Sequence, residues 1–462
     1  MNLRQHFQAN QLFELFRKLK IQIQNTFFFY ICIIYKMSAT TQKLNYSEVS
    51  PQASSSRAVR TETVPTNGSS FNMNQEIILD LPSNLNNTFC DFQSSYIKAT
   101  VTNNDDAAFK FSAGGFPTCI KQIILELGGQ TLFSCDNWNT LYEMMLSLDT
   151  SESFRKNAGA RLFGAGESFE GASVALNGGT RQICFPLVLT PLMANRYFPL
   201  IGRDRLRIRL VLDTSARSLL GAATDAQVAI SNISLVTYNL ELGSDVMAQV
   251  AANSDGSFKM LMPSYQHHQS SLSNSETSKV MTLGFSMSSL NRVLVAQTKQ
   301  AAVAAAAHIG NRSRNRLSRY FLTIGGVKYP MRDIRDVGVA AVTVGGGAEP
   351  LAEALISQRA LCSWSHDSSI EADAGFDLLN GAGTNSATTG SYLLEIDLES
   401  QRVSGGDGSL GLVAGVNVIG QVIQLTMEYD AVPAAAMVID VFAEHTLMVA
   451  LDLQTLTYSI AV

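Results

Sequence analysis

"LELGGQTLF" occupies residues 125–133, and "LTIGGVKYP" occupies residues 322–330. In both, apolar residues alternate with polar ones, run into a Gly-Gly pair and resume beyond it. Alternation with a period of two marks a half-buried strand. A glycine pair inside that pattern permits positive φ, and so a tight turn or a bulge. A phosphate cradle would need the lysine of a P-loop, which neither stretch carries. The repetition asks whether one fold is written twice.

The flanking sequence favours duplication. After Gly128-Gly129 a helical pattern runs from Asp136 to Leu148, with Trp138, Leu141, Tyr142, Met145 and Leu148 on one face and Asp136 or Asn137 as its cap. A loop rich in Gly and Ala leads to the apolar strand "ICFPLVLTPL" (183–192), then to "RLRIRLVLD" (205–213) and "ISLVTYNLEL" (233–242). After Gly325-Gly326 the order recurs. A helix over Glu349–Leu361 opens on Pro350, with Leu351, Ala354 and Leu355 on one face. "SYLLEIDLES" (391–400), "VIQLTMEYD" closing on Asp430, and "HTLMVALDL" (445–453) follow. The match lies in element order rather than residue identity.

Upstream, "QEIILDLP", "SYIKATVTN" and "FKFSAGG" add short apolar runs between turn residues, the pattern of an all-β sandwich. The expected fold is therefore all-β, two tandem sandwiches each with an interposed helix. Residues 1–70 read as an N-terminal extension and flexible arm, 71–243 as the first sandwich, 244–277 as a linker and 278–462 as the second. Gly128, Gly129, Gly325 and Gly326 are expected at positive φ, where the chain leaves the sheet for the helix.

Composition narrows function. Of 462 residues, 16% are charged, against about 25% in ordinary soluble domains. Such a surface suits a protein that buries much of itself against other copies. A net charge of −5 gives no electrostatic reason for nucleic-acid binding by the chain as a whole. The cysteines, at 32, 90, 119, 135, 184 and 362, lack CxxC spacing and read as free buried thiols in a reducing compartment. The apolar run at 27–35 is too short to span a bilayer. Residues 1–36 read as translated upstream sequence, with Met37 as the start, or as a signal peptide or an anchor.

Motifs for chemistry are weak. "GDGSLG" (406–411) fits GxGxxG but is followed by no helical period, and reads as a loop. Neither GxSxG nor HExxH occurs. His267 and His268 are adjacent, so their side chains diverge on a strand. His366 with Asp367 has no nucleophile near it in sequence. Asp204, Asp213, Glu395, Asp397 and Glu399 lie on strand patterns, and two facing carboxylates would make a glycosidase. Arg312, Arg314, Arg316 and Arg319 form the basic cluster, in "HIGNRSRNRLSRY". They read as a solvated loop, as a contact to a neighbouring protein, or as a phosphate contact to DNA.

Three stretches carry a family resemblance: "RYFPLIGRDRLRIRLVLD" (196–213), "ISLVTYNLELG" (233–243) and "RYFLTIGGVKYP" (319–330). With the tandem order, they resemble the double jelly-roll major capsid proteins of the adenovirus and tectivirus lineage. The short chain is similar to the virophage and polinton-like end of that family. The resemblance implies two eight-stranded jelly rolls, a homotrimeric pseudo-hexagonal capsomer and an icosahedral shell around a DNA genome. It also implies contacts with penton and minor capsid proteins and weak contact with packaged DNA, and no active site, metal, cofactor or membrane span. Weakly charged loops at 157–180, 338–349 and 372–391 are the expected contact surfaces. The alternative is a glycan-cleaving enzyme or carbohydrate-binding protein on a paired jelly roll. Its relatives carry several exposed Trp, whereas this chain has Trp138 and Trp364.

Overall fold

The computed structural model describes residues 56–461 apart from residues 107 and 313 and the stretches 166–172, 175–177, 221–223, 301–308, 310–311, 336–347, 359–391, 400–414 and 434–435. The expectations for residues 1–36 and Met37, Cys32, Cys362, Trp364, His366, Asp367, the 406–411 loop, and the loops 338–347 and 372–391 lie outside the described residues.

The first sandwich contains β1 (Ser56–Thr63), β2 (Glu76–Asp80), β3 (Thr88–Asn103), β4 (Ile120–Leu127), β5 (Gln130–Cys135), helix α1 (Trp138–Asp149), β6 (Gly179–Phe185), β7 (Leu206–Leu212) and β8 (Val228–Leu242). Its sheets are ordered β1-β8-β3-β6 and β2-β7-β4-β5, antiparallel throughout. Helix α2 (Ser244–Ala252) leads to the second sandwich. That comprises β9 (Ser257–Leu272), β10 (Ser278–Leu283), β11 (Leu290–Lys299), β12 (Leu317–Ile324), β13 (Val327–Arg335), helix α3 (Ala348–Ser357), β14 (Leu394–Asp397), β15 (Ile423–Tyr429) and β16 (Met437–Asp452). Its sheets are β9-β16-β11-β14 and β10-β15-β12-β13. Strand for strand the two orders are the same, that of the jelly roll. A last strand, β17 (Tyr458–Ala461), pairs with β16.

Alternation explains the inner layers. Leu206, Ile208, Leu210 and Leu212 of β7 are buried, while Arg207 and Arg209 face outward. In β15, Ile423, Leu425, Met427 and Tyr429 point inward in the same way. Helix α1 forms over the predicted face, with Trp138, Leu141 and Leu148 fully buried. Asn137 is its N-cap residue but holds αL backbone, and its side chain makes no capping bond. The described part of α3 ends at Ser357. Cys90, Cys119 and Cys135 are buried free thiols, and Cys184 is half-buried and free.

Three boundaries differ from the sequence reading. Residues 56–63 of the expected arm are strand β1, paired along its length with β8. As an edge strand with one exposed and one only half-buried face it needs no apolar alternation, which hid it. The expected linker 244–277 contains α2 and the 16-residue β9, paired from Ser257 to Leu272 with β16. Its polar "QHHQSS" disguised a strand whose outward face is enclosed at Tyr265 and His267 and exposed at Gln269 and Ser271. The strand at 183–192 is shorter, ending at Phe185 and followed by a 3-10 turn at Pro191–Met193.

The glycines behave differently too. Gly128, Gly129, Gly325 and Gly326 have φ of 59°, 83°, 56° and 87°. Each pair closes a two-residue hairpin, β4 to β5 and β12 to β13, so the chain turns back into the sheet and leaves it one strand later. The first glycine of each pair has a second constraint. A Cβ at Gly128 would lie 2.8 Å from the Asp204 carboxyl, and one at Gly325 would lie 2.6 Å from Gln421 Oε1.

Candidate functional site

Both sandwiches belong to one unit, Ser55–Val462, and a buried polar network joins them. At the start of α1, the Asn137 amide donates to Asp440 Oδ1 on β16 at 2.9 Å. The same oxygen accepts from Gln269 Nε2 and pairs with His267 Nε2, each at 2.9 Å, both from β9. Arg217 donates to Asn137 Oδ1 at 3.0 Å and lies 3.6 Å from Asp213, which also accepts from Asn139 at 2.7 Å. Asp440 is 1% exposed. Burial pushes its carboxyl up, but the hydrogen bonds from His267, Gln269 and Asn137 and the adjacent imidazole together carry it below the usual carboxylate range. His267 also packs on Phe442, ring centroids 4.9 Å apart. His267 and His268 therefore stand on a strand, not in a linker. Asp213, one of the strand carboxylates, and His267 both stand in this junction network.

A second contact explains the "YFPLIGRD" stretch. Tyr458 of β17 stacks on Phe198 at 5.6 Å and 13°, and its hydroxyl donates to the Pro199 carbonyl. Its backbone N–H donates to Asp204 Oδ2 at 3.0 Å, and the Arg203 N–H donates to the Leu456 carbonyl at 2.8 Å. A Cβ at Gly202 would run into the Tyr458 ring. Phe89 and Phe258 meet nearby at 5.8 Å. The chain's last strand thus clamps the lead-in to β7. Tyr458 and Asp440 were not singled out by sequence. No local pattern marks them, because each is defined by a partner more than 200 residues away.

The arginine cluster is not a solvated patch. Arg312 and Arg314 are each 1% exposed. Arg312 Nη2 donates to Ser147 Oγ of α1 at 3.3 Å. Burial pulls its guanidinium down to about 10, with Glu143 opposing and Arg155 adding to the fall. Arg319 is a surface ion pair, donating to Glu428 through Nε and Nη2 at 2.7 Å each and to Asp333 at 3.2 Å. Arg316 is half-buried at φ 61°. Two of the four are thus inaccessible to DNA phosphates in this fold.

Glu395 is wholly buried and shares Arg292 with Glu444: Arg292 Nη1 donates to Glu395 Oε1 at 2.9 Å, and Nε donates to Glu444. Ser357 at 2.7 Å and Gln358 at 3.2 Å also donate to Glu395, and Tyr265 donates to Glu444 at 3.0 Å. Two carboxylates on one guanidinium beneath a helix leave no room for a sugar between them, so this is a structural ion cluster. Among the described residues no group of three or more His, Cys, Asp or Glu is placed to hold a metal ion. No helix among them is long and apolar enough to cross a membrane.

No family model matches the chain, and no curated protein matches it. Solved structures do. The PBCV-1 VP54 structure fitted into a cryo-electron-microscopy reconstruction of the virophage Sputnik aligns with a TM-score of 0.59 at 10% identity, over 90% of this chain and 99% of that one. The Faustovirus major capsid protein aligns at 0.57 and 10% identity, over 89% and 93%. The mavirus major capsid protein aligns at 0.51 and 11% identity, over 93% and 94%. What this chain shares with them, over nearly their whole length, is the fold, the double jelly roll.

Proposed function

We propose that this chain is a viral major capsid protein, which assembles as a homotrimer into pseudo-hexagonal capsomers of an icosahedral shell around a DNA genome. The observation that carries this reading is the strand-for-strand duplication joined by a rigid polar junction. One chain presents two similar lobes in fixed orientation, so three chains give six around a threefold axis. The likeness to capsid proteins and the low surface charge support it. Contacts with penton and minor capsid proteins belong to the same reading.

The glycan-enzyme alternative loses ground on three points. Trp138 is buried core and offers no sugar platform. Asp213 is tied to Asn139 and Arg217, and Glu395 is neutralised under α3. Size-exclusion chromatography with light scattering tests the reading. The chain is 50.0 kDa, so a particle of about 150 kDa is expected for closed threefold association, with six-lobed outlines in negative stain. A stable monomer at micromolar concentration that hydrolyses a glycan would overturn it.

A further inference from the structure

The two sandwiches meet through different sides, and the duplication shows where each side recurs. On the second sandwich the contact side is the outer face of β9-β16-β11-β14. Tyr265, Glu444 and Arg292 form one row across it. The face is closed by Asn137 of the first sandwich on Asp440, and beside it by the second sandwich's own Ser357 and Gln358 on Glu395. In the first sandwich Ile97 pairs with Leu235 and Phe185, as Val293 pairs with Ala443 and Ile396 in the second. That register puts Glu62, Val236 and Tyr96 in the corresponding row. This row is open: the Glu62 side chain is 49% exposed, where Tyr265 is 4%. Val236, Tyr96 and Tyr238 are half-buried.

On the first sandwich the contact side includes the lead-in to β7, which lies under Tyr458. Its counterpart is fixed by equivalent bonds. The Gly128 N–H donates to the Arg205 carbonyl, and the Gly325 N–H donates to the Val422 carbonyl. At the second lead-in Ile419 is 55% exposed and Val422 60%, with Val327 beyond the Gly-Gly turn at 52%. The first sandwich has Arg205 and Gln130 at the places of Val422 and Val327, and at the place of Ile419 the buried Gly202, against the Tyr458 ring. Apolar side chains thus stand exposed where the first copy is charged, polar or covered, which marks a contact surface.

Each chain therefore carries one covered and one open example of both sides. We propose that the apolar lead-in formed by Ile419, Val422 and Val327 docks on the open outer face of β1-β8-β3-β6 in a second copy of this chain. The partner is a second copy because surfaces of these two kinds already face each other within the chain, and between chains the arrangement is simply repeated. Such a contact is head-to-tail, and successive copies close into a ring. The inference rests on the capsomer reading and deepens it by naming the two faces.

Complementation between two full-length variants tests it. Ile419→Asp/Val422→Asp blocks the lead-in, and Tyr96→Asp/Tyr238→Asp blocks the outer face. Each alone is expected to stay monomeric by light scattering, with an unchanged circular-dichroism spectrum. Mixed one to one, they retain one intact pair of faces and are expected to stop at a heterodimer of twice the monomer mass. Trimers from either variant alone, or no heterodimer on mixing, would overturn the assignment of faces while leaving assembly intact. A monomeric wild type would instead overturn the capsomer reading. If either variant misfolds, hydrogen exchange on the wild type decides. Amides at 419–424 and 234–240 are expected to gain protection together as concentration drives association; protection gained elsewhere but not there refutes the docking.

Discussion

Replacing Glu395 with Gln gives a pH signature whose sign follows from two opposed influences. Burial is the larger and pushes the carboxyl up. Arg292, Ser357 and Gln358 pull it down, and Glu444 pushes up again, leaving it at about 6 against an ordinary 4.5. The folded state then holds a proton that the unfolded chain has already released between those values. A group with a raised folded pKa contributes stability that is full below its unfolded pKa and is lost as pH rises through the folded one. At 1.36 kcal/mol for each pH unit, the loss across this window is about 2 kcal/mol. Glu395→Gln is neutral at every pH and keeps an oxygen for Arg292, which retains Glu444. Its stability relative to wild type should therefore improve by about 2 kcal/mol between about pH 4 and about pH 7. Urea unfolding of both proteins at one protein concentration measures this, because taking the difference cancels every other titrating group. A difference that is flat with pH, or that falls, would refute the reasoning. It would mean that the Arg292 pair outweighs burial.

Gly325→Val should cost about 1–3 kcal/mol from positive φ alone, with more from the 2.6 Å approach to Gln421. Gly326→Asn meets open space and tolerates that φ, so its thermal midpoint should hardly move; equal losses would contradict the hairpin account. Tyr458→Phe should lose about 1 kcal/mol with its hydroxyl bond, and Tyr458→Ala about 2 kcal/mol or more with the Phe198 stack. Denaturant midpoints at fixed concentration separate them, and an Ala variant no worse than Phe would show that the stack contributes nothing.

The sequence alone determined the repeated strands, the helix at α1 and the two glycine turns. Those features are local: β7 and β15 alternate residue by residue, and a glycine pair makes a two-residue turn at positive φ without strain. Local pattern also misled. Strand β1 looked like an arm because an edge strand needs no buried face. Strand β9 looked like a linker because its His267 and Gln269 are polar, yet both are held on Asp440, and the His267 side chain is enclosed there. The tertiary structure alone decided that Arg312 is buried, that Asp440 joins the sandwiches and that Tyr458 clamps the β7 lead-in. Whether a polar side chain is solvated or enclosed depends on what packs over it. For these residues, what packs over them comes from the other half of the chain, at separations no periodicity encodes.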